Sequence, residues 1–139
     1  MKAYVDSSVI LRIILGEKGA LSLPDNIEEF VSNELLKIEC FRTLDRMHRT
    51  LHFPDKEFAE RYAALHEVIR HLRILKFTSV ITQRACDPFP ITLKSLDAIH
   101  LASALLWQQQ EEQPILFLTH DEQLGKAALA VGFQVLGIL

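Results

Sequence analysis

Cysteine is scarce in this sequence: two residues, Cys40 and Cys86, in a chain of 139. Their spacing fits no metal or redox motif, and a single pair makes a weak disulfide case. A cytoplasmic protein with reduced thiols is the expectation. Long apolar runs are missing as well. "YVDSSVILRIIL" and "PILFL" are too short, or too interrupted by charge, to span a bilayer, so no membrane association is expected. The opening "MKAYVD" reaches an acid at once, unlike a signal peptide. There is no Gly-rich phosphate loop, no early His/Cys cluster suited to zinc, no internal repeat and no Gly/Ser linker. Excess positive charge is absent too. A net charge of -3 argues against tight nonspecific binding to nucleic acid through charge alone. It leaves room for a local basic patch, and it suits acids gathered into a site that holds cations.

What is present is material for a core. Hydrophobic residues make up 49% and charged residues 24%, a globular balance, and the length suits one domain spanning residues 1–139. Strand and helix patterns alternate along it. "KAYVD" is a short β-prone run ending at Asp6, followed by a helical "SSVILRIILGE" stopped by Gly16. A second strand is expected at Glu29 to Val31. Asn33 can cap a long helix with Leu35, Ile38, Phe41 and Leu44 on one side. Pro54 starts the next helix, "RILKF" reads as a third strand, and Ser79 as the cap of a short helix through Arg84. After the two-proline loop "CDPFPITLKS", helix is expected from Asp97 to about Gln110. "ILFLT", a helix from Asp121 to Ala130, and "FQVL" complete the chain. Such alternation predicts a three-layer α/β/α domain with a mostly parallel central sheet. Sites in such sheets gather beyond the carboxyl ends of the strands.

The acids at those ends decide the chemistry. Asp6 and Asp121 each follow an expected strand, and Asp97 begins a helix. Singly, each has a bland role as a helix cap or first-turn acid. Glu39 lies about a turn and a half inside its helix, where no capping role exists. Taken alone it is a surface acid, paired with Arg42 or Arg46. Together the four read differently. Like charges drawn to one sheet edge raise one another's pKa unless a cation neutralises them. An all-oxygen acidic pocket suits Mg²⁺ or Mn²⁺, ions that stabilise phosphoryl displacement.

Four segments, "YVDSSVIL", "SNELLKIECFRTL", "SLDAIHLASAL" and "LTHDEQLGKAALAVGF", stand in the order and context of the PIN-domain family. The resemblance is to toxin ribonucleases of the VapC type and runs from Lys2 to Val135. It implies a PIN fold over a single domain and a Mg²⁺- or Mn²⁺-dependent ribonuclease. It implies catalytic and metal-binding roles for Asp6, Glu39, Asp97 and Asp121. It also implies a homodimer and a cognate antitoxin that blocks the site, with operator DNA engaged through that antitoxin. Ser8 stands where many relatives have Asn and is expected to serve as a polar neighbour. Thr119 has a hydroxyl that can bond a ligand carboxylate. His100, one turn after Asp97, reads more as a satisfied structural group than as a catalyst. Arg42 and Arg46, with Arg49, follow Glu39 on roughly one helical face and can hold RNA phosphates. One rival is a PIN-fold binding subunit, acting mainly in an antitoxin–operator DNA complex with little nuclease activity. A phosphatase of the aspartyl type would want a second acid where Ser8 stands, and a phospho-receiver would want paired early acids where "MKAYVD" has one.

Overall fold

The computed structural model describes residues 1–138; the final residue of the expected 1–139 domain lies outside them. Five strands and six helices follow one another as β1 (Lys2–Val5), α1 (Ser7–Ile14), β2 (Glu29–Asn33), α2 (Glu34–Leu51), α3 (Asp55–Arg70), β3 (Arg73–Leu75), α4 (Ser79–Cys86), α5 (Ser95–Glu111), β4 (Leu116–Leu118), α6 (Glu122–Ala130) and β5 (Gln134–Leu136). The strands form one sheet in the order β3-β2-β1-β4-β5, and each neighbouring pair is parallel. The mostly parallel sheet expected from the alternation is therefore parallel throughout. Parallel neighbours need crossovers, and the helices that supply them cover both faces.

Strand periodicity divides the core in two. Tyr4 and Phe117 point to one side and join Val31, Leu101, Trp107 and Leu124 beneath α5 and α6. Ala3, Val5, Leu116 and Leu118 point to the other and join Ile10, Leu36, Leu44 and Leu65 beneath α1, α2 and α3. β1 and β4 are buried on both faces, which is why their sequences are apolar runs without polar alternation. Among the described residues, no helix is long and apolar enough to cross a membrane.

Side chains fix where most helices begin. Asp6, Asn33, Thr78 and Asp121 accept hydrogen bonds from the amides of Val9, Leu35, Ile81 and Leu124 at the starts of α1, α2, α4 and α6. Two expectations are corrected. Thr78, rather than Ser79, caps α4, because the extended residue lies one position earlier. On α2 the buried stripe is Leu36, Cys40 and Leu44, spaced at four residues, while Ile38 is 56% exposed. Packing against α1 and α3 selects that stripe and leaves Ile38 outward.

The chain steps from β1 to β2 to β3 in one direction, then crosses back to place β4 on the other side of β1. This reversal opens a crevice beyond the carboxyl ends of β1 and β4, where a doubly wound sheet places its ligands.

Candidate active site

Asp6 is the first residue beyond β1, and its backbone amide donates to the Leu118 carbonyl at 3.2 Å. That bond seats it at the floor of the crevice, 3% exposed. Two hydroxyls hold its carboxylate. Ser8 Oγ donates to Oδ1 at 2.6 Å, and Thr119 Oγ1 donates to Oδ2 at 2.6 Å. Each hydroxyl also accepts an amide of the loop after β4: Ser8 Oγ takes the His120 N–H at 2.8 Å, and Thr119 Oγ1 takes the Asp121 N–H at 3.0 Å. Ser8 and Thr119 thus tie the ends of β1 and β4 together through one carboxylate.

Asp121 is half-buried at the start of α6 and accepts the Leu124 N–H at 2.8 Å. Asp97 lies in the first turn of α5, half-buried, and no hydrogen bond or ion pair holds its carboxylate among the described residues. Glu39 reaches across from α2. Its Oε1 lies 2.6 Å from Nε2 of His100, and the Nδ1 of that ring lies 2.8 Å from the Tyr4 hydroxyl. Taken alone, Glu39 reads as a partner of Arg42 or Arg46, whereas the structure pairs it with His100.

The charges of the other three acids reach Asp97. The Asp97 carboxyl is raised to about 6, first by burial, then by the charges of Asp121 and Asp6, with Glu39 adding to them. Burial raises the Asp6 carboxyl as well, opposed by His100 and by the Ser8 and Thr119 hydroxyls. The Cys40 thiol beside them is pushed up to about 12 by burial and by Glu39 and Asp6, so it stays protonated and unreactive.

The donors are all oxygen and all acidic, the chemistry of a hard divalent ion. As they stand, no three of the described His, Cys, Asp and Glu side chains form a metal-holding group. Mg²⁺ does not require one: it keeps several waters and is bound through one or two carboxylates plus substrate phosphate. The mutual repulsion recorded at Asp97 is what a divalent ion would relieve. The residues therefore fit the ion in chemistry and charge.

The PIN domain model of protein families matches residues 3–129. The chain belongs to the PIN domain family. It is similar to Ribonuclease VapC47 of Mycobacterium tuberculosis (strain CDC 1551 / Oshkosh), 28% identical over 137 residues that cover 94% of this chain and 92% of the relative. Two solved structures share its fold at 16% identity. A toxin-antitoxin complex from Klebsiella pneumoniae contains a chain matched with TM-score 0.58, covering 99% of this chain and 96% of that one. PAE2754 from Pyrobaculum aerophilum gives TM-score 0.59, covering 97% and 83%.

Within this PIN domain, Arg42, Asp45, Arg46, Arg49 and Thr50 line a groove of about 470 Å³ along α2. Asp45 pairs with Arg49 at 3.1 Å, while the Arg42 and Arg46 side chains are exposed. Sequence reasoning gave too little weight to two groups. Tyr4 stands in an apolar strand, and a hydroxyl on a fully buried strand needs a partner. His100 is the largest polar side chain on the buried face of α5, which was the available signal that it answers another buried group. His120 was also passed over. Its Nε2 accepts the Leu21 amide at 3.1 Å and its Nδ1 lies 2.8 Å from the Gly137 carbonyl, which pins the loop bearing Asp121 to both flanking segments.

Proposed function

We propose that this PIN domain is a Mg²⁺- or Mn²⁺-dependent endoribonuclease, the toxin of a type II toxin–antitoxin pair. The observation that carries the proposal is that the charges of Asp6, Glu39 and Asp121 all raise the Asp97 carboxyl in a parallel sheet whose order reverses between β1 and β4. Support comes from the similarity to a ribonuclease over almost the full length of both chains.

Asp6, Glu39, Asp97 and Asp121 would hold the ion between them. When bound, the ion supplies Lewis acidity and a water of lowered pKa for phosphodiester hydrolysis. The Ser8 and Thr119 hydroxyls fix both Asp6 oxygens, so this carboxylate meets the ion without a reorientation cost. Arg42 and Arg46 hold RNA phosphates along α2, next to the acids. The same proposal carries the partners: an antitoxin that covers the site, a second copy of this chain as homodimer, and operator DNA reached through the antitoxin. The fold match to a chain of a toxin-antitoxin complex supports the first of these.

The lack of a ready-made three-residue metal group favours one other assignment, a PIN-fold binding subunit with little nuclease activity. RNA cleavage by purified protein with added Mn²⁺ separates the two. Wild type should cut RNA at defined positions. Asp6→Asn and Asp97→Asn should remain folded and lose at least about 100-fold in rate, as expected when an interaction of several kcal/mol with the transition state is removed. Full activity in either variant rejects the site, and an inactive wild type rejects the enzyme.

A further inference from the structure

Three buried or half-buried groups from three separate elements form a chain toward the site. Tyr4 of β1 is fully buried, His100 of α5 is 1% exposed, and the Glu39 side chain of α2 keeps 19% of its surface open. We propose that His100 is a positioning residue for Glu39: with Tyr4 behind it, it forms a strut from the sheet to the site that fixes where the Glu39 carboxylate stands. This rests on the metal-dependent nuclease proposed above and adds a residue whose task is geometric.

Donor and acceptor rules limit the arrangement. An ionised carboxylate only accepts, so the 2.6 Å contact places a hydrogen on His100 Nε2, donated to Glu39 Oε1. Nδ1 of the same ring lies 2.8 Å from the Tyr4 hydroxyl, which can donate to a bare Nδ1 or accept from a protonated one. Every polar atom of the ring is satisfied, as burial requires.

The base of the strut is rigid. The Tyr4 ring stacks on Phe117 with centroids 5.5 Å apart and planes 13° apart, and meets His100 edge-on at 5.9 Å. The ring cannot turn without breaking the core. A Glu side chain has several rotatable bonds, and a carboxylate left to itself spreads over many rotamers. Holding Oε1 removes that freedom and leaves Oε2, which has no hydrogen bond among the described residues, for another ligand. His100 also follows Asp97 by one turn on α5. One rigid helix therefore carries one acid of the site and sets the position of another. A purely structural His100 would affect stability but leave ion binding intact.

The test measures Mn²⁺ binding to purified, RNA-free protein through the electron paramagnetic resonance of the free ion, with kcat and KM for RNA cleavage measured in parallel. His100→Leu is expected to weaken Mn²⁺ binding roughly 10- to 100-fold, the range seen when a hydrogen bond that orients a ligand is lost. It should lower kcat and leave the KM for RNA near wild type. His100→Gln, which keeps an N–H donor at similar reach, should recover most of both. Tyr4→Phe should weaken Mn²⁺ binding in the same direction by less. In a Glu39→Gln background, His100→Leu should change the affinity less than about twofold, because its effect passes through Glu39. A folded His100→Leu variant with wild-type Mn²⁺ affinity overturns the proposal, as does an equal loss in the Glu39→Gln background. Should His100→Leu fail to fold, Tyr4→Phe decides, and wild-type affinity there overturns it. Failure of the nuclease assignment itself would be visible separately, as wild type that binds Mn²⁺ but cuts no RNA.

Discussion

Asp97 illustrates how one side chain serves two purposes that conflict. In the first turn of α5 its charge is favoured by the helix dipole. Its burial and its acidic neighbours disfavour that charge more strongly, and the carboxyl titrates near 6 instead of 3.8. Between about pH 4 and pH 6 the folded chain therefore holds a proton that the unfolded chain has released. Its contribution to stability is fully present below this window and is lost as pH rises through it. The full shift would be worth about 3 kcal/mol, and solvent at a half-buried carboxylate reduces that to the order of 1 kcal/mol. Urea unfolding with a chelator present should show wild type losing this much between pH 4.5 and 7, relative to Asp97→Asn. Burial raises Asp6 in the same direction, while Glu28 and Glu111 are lowered by their cationic partners, and all three are present in both proteins. The difference between variants thus reports Asp97 together with its coupling to Asp6. Parallel pH profiles would mean that Asp97 is not destabilised by its neighbours. The special position of Asp97 was legible in the sequence because the acid stands at the head of an apolar helix. The role of His100 was not. A helical His among apolar residues has many possible partners, and Tyr4, 96 positions earlier, is found only in the folded chain.

Helix starts were the most legible elements, since a cap is a local contract between one side chain and the next turn. Asn33 shows how much such a residue can carry. Its Oδ1 accepts the Leu35 amide at 2.9 Å, and its Nδ2 donates to Ser103 Oγ at 3.0 Å. Ser103 in turn donates to the Ile99 carbonyl at 2.7 Å. The cap thereby joins α2, which bears Glu39, to α5, which bears Asp97, at a fully buried point. Asn33→Ala removes the cap, leaves the Leu35 amide without its acceptor, and takes from Ser103 the donor it accepts, though Ser103 keeps its bond to Ile99. It should cost about 2–3 kcal/mol and lower Tm by roughly 10 °C. A loss below about 0.5 kcal/mol would mean that water replaces both bonds. Helix phase was harder to read than helix start. Leu35, Ile38 and Phe41 form as plausible an apolar row as Leu36, Cys40 and Leu44, and only packing against α1 and α3 selects the second.

At the scale of the molecule, alternation revealed the parallel sheet, but the order of its strands was out of reach. Each apolar run is local, whereas order depends on which crossovers pack together. The meeting of Asp6 with Thr119, 113 residues apart, exists because β4 returns to lie beside β1. The same return leaves α2 running from the crevice with its basic groove facing outward, in a chain whose overall charge is -3. On the proposed function, attraction to RNA must then be local, and salt dependence can locate it. Each single-strand phosphate neutralised contributes about -0.7 to the slope of log K against log salt. Arg49 is committed to Asp45, so Arg42 and Arg46 are the cations expected to make these contacts. Arg42→Ala and Arg46→Ala should each raise KM for RNA, flatten the slope by about 0.7, and leave kcat at saturating RNA close to wild type. Arg49→Ala should change the slope much less. KM measured from low to moderate salt for the three variants distinguishes them. Unchanged slopes for Arg42→Ala and Arg46→Ala would place the RNA path on another face of the sheet edge.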